Sequence, residues 1–142
     1  MRARTVQART SSRTVWGMSV TTKASAPHAL LVEPQALFAP YFVATLERAG
    51  FARVDTLDRI DRATLRGSAP DVVVIDAGPL SQPLRVLRVV RAEVPRARIV
   101  IFAHRLDAMW ATLARSLGAD AVIGPTSDEA EFFDAVAPGA AA

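Results

Sequence analysis

The sequence predicts an α/β domain in which a parallel sheet of five strands carries helices on both faces. Over residues 28–137, short apolar runs alternate five times with longer amphipathic stretches. Two of the apolar runs, DVVVID and ARIVIFA, are continuous and rich in β-branched residues, as in strands that helices cover on both faces. Strict alternation of strand and helix implies right-handed crossovers and parallel pairing.

The first half of this region predicts three strands and two helices. A strand over residues 28–33 precedes a helix over 35–50, whose apolar residues recur at three- and four-residue spacing. Gly50 is expected to end that helix. A strand over 52–57 follows, and then a helix whose first turn carries Asp58 and Asp61 and whose end is at Gly67. The apolar run over 71–76 is the third strand.

The second half predicts three helices and the last two strands. A helix over residues 82–94 has Pro83 in its first turn, where proline is tolerated. The fourth strand spans 97–103. The fourth helix spans 106–120, with Asp107 as its N-cap and Gly118 as its end, and the fifth, over 128–136, is capped by Ser127. With a fifth strand at 121–123, this order predicts a doubly wound, flavodoxin-like (βα)5 fold.

Composition and charge fit one domain with a basic tail. The chain has 142 residues, of which 51% are hydrophobic and 22% charged, as is usual for a packed globular domain. It has no cysteine and two histidines, which excludes disulfide scaffolds, thiolate zinc sites and histidine-rich metal sites. Residues 1–27 carry five basic residues and no acid, whereas the remaining residues have a small excess of acids.

We therefore predict three segments: a disordered basic N-terminal tail over 1–27, the domain over 28–137, and a C-terminal tail over 138–142. Three alternatives for residues 1–27 remain open. The segment is a transit peptide, or it is an arm that contacts nucleic acid, or translation starts at Met18 within it. No membrane span or secretory signal is predicted, and the expected location is the cytoplasm.

Candidate site residues lie where the predicted strands end. In open parallel α/β sheets, ligands bind beyond the carboxyl ends of the strands, at the switch point of the strand order. Glu33 ends the first strand and Asp76 ends the third, so we expect the two carboxylates to face one pocket. His104 follows the fourth strand and is predicted to be a polar residue at the rim.

Four stretches, LLVEP, PDVVVIDAG, VPRARIVIFAH and SLGADAVIGP, occur in this order with the expected spacing. Together with the last helix they resemble the receiver domains of bacterial response regulators, over about residues 28–137. The resemblance implies that Asp76 is the phosphate acceptor and that Glu33 and Asp76 hold Mg²⁺. Pro34 stands where a second carboxylate is usual, so this magnesium site is expected to be weak.

Other positions depart from the receiver pattern. Ala103 stands where the family has a hydroxyl residue, Val122 where it has an aromatic residue, and Gly124 where it has a lysine. The chain's single lysine, Lys23, precedes the predicted domain. Phosphoryl transfer depends on positioned positive charge, so these switch positions are predicted to be degenerate, with Arg105 as a substitute charge partner.

The predicted function is that of a stand-alone pseudo-receiver, not an enzyme, that binds another signalling protein such as a histidine kinase or a regulator. No cofactor is expected beyond a weakly bound Mg²⁺. Two alternatives remain open: a single-domain response regulator phosphorylated on Asp76 by a histidine kinase, and a small-ligand-binding flavodoxin-like domain. A homodimer is also open, whereas binding to a membrane or to nucleic acid is disfavoured.

Two features predict an interaction surface. One is Trp110 in the fourth predicted helix, because tryptophan is enriched in interface hot spots. The other is a stripe of basic residues at three-residue spacing in the third predicted helix, although such a stripe is also typical of a solvated helix face. The stripe consists of Arg85, Arg88 and Arg91.

Overall fold

In the computed structural model, which describes residues 10–15, 18–23, 26–105 and 107–137, the predicted alternation of strands and helices is present. The elements in chain order are β1 (Thr10–Val15), β2 (Met18–Lys23), β3 (His28–Val32), α1 (Ala39–Arg48), β4 (Arg53–Leu57), α2 (Arg62–Ser68), β5 (Val72–Asp76), α3 (Pro83–Glu93), β6 (Arg98–Phe102), α4 (Ala108–Ser116), β7 (Ala121–Ile123) and α5 (Glu129–Val136). None of the helices in these ranges is long and apolar enough to cross a membrane.

The main sheet has five parallel strands in the order β4-β3-β5-β6-β7. The chain leaves β3 for β4 at one edge and then returns across β3 to β5, so the strand order reverses between β3 and β5. This is the flavodoxin-like order, and the predicted fold class is confirmed. The reversal opens a crevice at the carboxyl ends of β3 and β5, where the candidate acids were predicted.

The hydrophobic core has one half on each face of the sheet. Residues of β5 alternate between the halves: Val73 and Ile75 pack towards α2, α3 and α4, while Val72 and Val74 pack towards α1 and α5. All four side chains are fully buried, which explains why this strand is apolar without interruption. The sheet is therefore a rigid platform for the residues at its carboxyl edge.

Four of the predicted helix boundaries were wrong. Helix α1 begins at Ala39, because residues 36–38 form turns before Pro40 enters the first helical turn. Helix α2 begins at Arg62 rather than near Asp58, because Asp61 is its N-cap, and it continues past Gly67, so that Ala69, with φ of 42°, takes the left-handed position instead. The N-cap of α5 is Asp128, whereas Ser127 accepts a hydrogen bond from the Gly124 N–H.

Asp107 caps α4 as predicted, accepting hydrogen bonds from the N–H groups of Met109 at 2.8 Å and Trp110 at 3.2 Å. Replacing Asp107 with alanine would leave both donors without this partner, so we expect the free energy of unfolding to fall by about 1 kcal/mol. Urea unfolding measures the change. Asp107→Asn, which retains an acceptor oxygen, should lose less, and equal losses in the two variants would contradict the capping role.

The segment predicted to be a disordered tail contains an antiparallel hairpin. Strands β1 and β2 pair from Thr10 with Lys23 to Val15 with Met18. Threonine and valine, which favour extended backbone, are common in both strands. The overall composition of the segment does not reveal this local preference. Residues 1–9 and the predicted C-terminal tail over 138–142 lie outside the described residues.

Candidate functional site

Glu33 and Asp76 lie at the carboxyl edge of the sheet, next to the crevice between β3 and β5. Asp76 is the last residue of β5, and Glu33 directly follows β3. Backbone hydrogen bonds continue the ladder past both residues, from the Glu33 N–H to Leu57 at 2.9 Å and from the Ala77 N–H to Phe102 at 2.8 Å. Both acids are only 1% exposed. Two carboxyl groups are therefore buried side by side, a costly arrangement unless they are paired.

One oxygen of Asp76, Oδ1, is already bound by two groups. It accepts a hydrogen bond from the Gly78 N–H at 3.2 Å and lies 3.2 Å from His104 Nε2. A Cβ atom at position 78 would come within 2.2 Å of His104 Cδ2, so the glycine allows the imidazole to lie against this loop. His104 was predicted to be a polar residue at the rim, and its side chain is 55% exposed. Its contact with the buried Asp76 carboxylate was not predicted.

The carboxyl group of Glu33 retains its proton more strongly than an ordinary glutamate. Its Oε1 accepts a hydrogen bond from the Gln35 N–H at 2.9 Å, while Oε2 is buried with no partner among the described residues. Burial, followed by the neighbouring Asp76 carboxyl group, raises the pKa of Glu33 from 4.5 to about 7. A protonated Glu33 carries no charge, so protonation removes the repulsion between the two acids.

A divalent cation fits these residues poorly. Mg²⁺ requires ionised oxygen ligands in octahedral geometry, but Glu33 is partly protonated near neutral pH and Asp76 Oδ1 already binds Gly78 and His104. Pro34 offers no carboxylate. In the described ranges, no group of three or more His, Asp or Glu residues is placed to hold a metal ion.

The switch positions identified in the sequence lie around this site. In the β5–β6 ladder, Asp76 pairs with Phe102 rather than with Ala103, the next residue. Ala103 is buried, with its N–H bonded to Ile123 at 2.8 Å, and Val122 packs against the core. Gly124 donates its N–H to Ser127. The residue opposite Asp76 is thus a phenylalanine, which sequence reasoning missed because register depends on tertiary pairing.

Within the described part of the chain, no hydrogen bond or ion pair joins Arg105, the predicted substitute for the lysine, to Asp76. The residue that lies against this carboxylate is His104. Arg105 and Trp110 instead line an open pocket of about 440 Å³ beside His104. Trp110 is half-buried against the core, so only part of its ring is available to a partner.

The predicted arginine stripe on α3 divides into two parts. Arg85 and Arg88 are exposed, but Arg91 binds backbone carbonyl groups of two loops at the amino edge of the sheet. Its guanidinium donates to Gly118 at 2.7 Å and also pairs with Asp120 at 2.8 Å. Arg91 is therefore a structural residue and does not contribute to a free basic surface.

The described fold is a doubly wound parallel sheet with two buried acids at its carboxyl edge. No family model matches the chain, and no curated protein matches its sequence. Among solved structures, a Burkholderia pseudomallei response regulator, crystallised with a phosphorylated aspartic acid, a calcium ion and citrate, is 20% identical over 80% of this chain and 68% of its own, with a TM-score of 0.68.

Two further solved structures have the same fold. A LuxR-family two-component response regulator from Aurantimonas sp. is 26% identical over 76% of this chain and 80% of its own, with a TM-score of 0.65. A pilus assembly protein (cpaE) from Burkholderia thailandensis is 15% identical over 77% of this chain and 93% of its own, also with a TM-score of 0.65. The chain thus has the fold of response regulator receiver domains.

Proposed function

We propose that the protein is an atypical receiver-like signalling domain that acts by binding another protein, without a standard phosphorylation switch and without catalysing a reaction. The observation that carries this proposal is the state of Asp76. Its carboxylate is buried, one oxygen is bound by Gly78 and His104, and the pKa of the neighbouring acid Glu33 is raised to about 7. These contacts stabilise the carboxylate as a structural group.

Phosphorylation of Asp76 would require several of these contacts to be replaced. A carboxylate oxygen must attack the phosphorus atom in line with the leaving group, and the transition state needs positive charge around the transferring phosphoryl group. Here the imidazole of His104 covers Asp76, and Phe102 is the residue paired with Asp76 in the β5–β6 ladder. The raised pKa of Glu33 means that its carboxyl group is partly protonated near neutral pH and does not present two ionised oxygens. The residues of this pocket support burial and pairing better than group transfer.

The signalling role is inferred by analogy of fold. Receiver-like structures occur in response regulators from Burkholderia pseudomallei and Aurantimonas sp. and also in a pilus assembly protein, so the fold alone does not decide the chemistry. The partner is proposed to be a signalling protein, either a histidine kinase or a regulator. Exposed apolar residues, Tyr41 on α1 and Met109 on α4, give such a partner accessible surface.

One observation favours a second candidate, a response regulator phosphorylated on Asp76. The structure brings Glu33 and Asp76 together at the carboxyl edge, where the resemblance places the acceptor and its acidic neighbour. This candidate requires His104 to move away from Asp76 and Glu33 to lose its proton. It therefore predicts a measurable rearrangement when a phosphoryl mimic binds.

An amide NMR titration with Mg²⁺ and then with beryllofluoride, a phosphoryl mimic, separates the two candidates. We expect no saturable shifts at Glu33, Asp76, Gly78 or His104, because the carboxylate is already paired. The same titration of Asp76→Asn gives the background of non-specific shifts. Saturable shifts in the natural protein that disappear in Asp76→Asn would overturn the proposal and establish a working acceptor.

A further inference from the structure

A second cavity lies away from the acids, between α1 and α5. It has a volume of about 230 Å³, and its walls include four aromatic rings, those of Tyr41, Phe42, Phe102 and Phe132, together with Ile123. The whole sequence has only nine aromatic residues, namely six phenylalanines, two tryptophans and one tyrosine. Nearly half of them therefore meet at one cleft, whose entrance is formed by Tyr41, 67% exposed.

The polar groups around the cleft already have partners. Thr45 Oγ1 donates to the Tyr41 carbonyl at 2.9 Å, and Arg48 forms an ion pair with Glu129 at 2.8 Å across the rim. Asp128 accepts a hydrogen bond from the Glu131 N–H at 2.8 Å. A charged or strongly polar ligand would have to break these bonds, whereas an uncharged apolar ligand would leave them intact.

Ring geometry and volume indicate the kind of ligand. The rings of Phe42 and Phe102 lie 5.4 Å apart at 79°, and those of Tyr41 and Phe42 lie 5.7 Å apart at 74°. Such edge-to-face walls suit another aromatic ring. The cleft is smaller than pockets for drug-sized ligands, which begin at roughly 300 Å³, but larger than the engineered apolar cavity of about 150 Å³ that binds benzene.

We propose that this cleft is a binding site for a small neutral aromatic molecule of one or two fused rings. The proposal does not depend on whether Asp76 is phosphorylated, because the cleft and the acids use different residues. The cleft and the site of the two acids are nevertheless adjacent. The ring of Phe102 contacts Phe42 on the cleft side, and it also lies 5.7 Å from the His104 ring at an interplanar angle of 88°.

Indole is a suitable probe for this cleft in the full chain. In an amide and methyl NMR titration, we expect saturable shifts at Phe42, Phe102, Ile123 and Phe132, with a Kd of about 1 mM or tighter. Intermolecular NOEs from the indole ring to Ile123 methyl groups would locate the probe. Shifts that fail to saturate, or that occur only outside these residues, would overturn the proposal.

Two variants of exposed residues provide a matched comparison. Tyr41→Ala removes one wall of the cleft and should weaken indole binding at least about fivefold, because one aromatic contact is lost. Leu37→Ala removes an exposed apolar side chain that does not line the cleft, so the affinity should be unchanged. Both residues are largely solvated, so neither change should unfold the protein. Equal weakening by the two variants would place the probe on the open surface around the start of α1 and contradict the proposal.

Discussion

Replacing Glu33 with glutamine should remove most of the pH dependence of stability between mildly acidic and mildly basic solution. The pKa of Glu33 is raised from 4.5 to about 7 in the folded protein, so over that interval the folded state retains a proton that the unfolded state has released. The contribution of Glu33 to the free energy of unfolding is therefore largest below pH 4.5 and falls as the pH rises through about 7. The loss amounts to about 3 kcal/mol, at most, for a shift of this size.

The glutamine amide is neutral, as the protonated carboxyl group is, but it does not titrate. Urea unfolding at a series of pH values should show a steep decline for the natural protein and a nearly flat profile for Glu33→Gln. Glu131→Gln, a change at an exposed carboxylate of α5, should keep the steep decline. Parallel profiles for the natural protein and Glu33→Gln would refute the raised pKa of Glu33.

The second large effect is expected at Arg91, where methionine should lower the free energy of unfolding by about 2–3 kcal/mol. The guanidinium donates to the carbonyl groups of Gly118 at 2.7 Å and Ala97 at 2.8 Å, and it pairs with Asp120. Methionine retains most of the apolar stem but leaves these acceptors without their donor. Chemical denaturation of the variant measures the loss.

Arg85→Met is the matched control, since Arg85 belongs to the same predicted stripe. The only side-chain hydrogen bond of Arg85 in the described residues is a long one of 3.4 Å to Gln82. The free energy of unfolding is therefore expected to change by less than about 0.5 kcal/mol. Comparable losses at both positions would mean that helix propensity or net charge, rather than the bonds of Arg91, determines the effect.

Much of the fold could be predicted from the sequence, because the strongest signals are local. Strand β5 is an unbroken apolar run, and Asp107 caps α4 through its own side chain, so neither requires knowledge of distant contacts. The wrong boundaries occur where two local signals for a helix end compete. Gly67 favours a helix end, yet the helix continues to Ser68 and is followed by Ala69 in the left-handed conformation.

The site could be predicted only in part. Strand ends indicate that Glu33 and Asp76 meet, since parallel strands present their carboxyl ends at one edge. The contact between His104 and Asp76 depends on the path of two loops and on a missing side chain at Gly78. The protonation of Glu33 depends on burial by the whole fold. Neither has a signature in the residue pattern.

The short edge strand β7 has a consequence for dynamics. It has three residues and, within the described ranges, pairs only with β6, through three residue pairs, whereas β5 forms four residue pairs with β3 and five with β6. Segments with few such pairs open with the smallest free energies. Amide hydrogens of β7 and α5 should therefore exchange with solvent well before those of β5, through local opening that leaves the central strands intact. Because α5 forms one wall of the aromatic cleft, this opening would also provide a route into it.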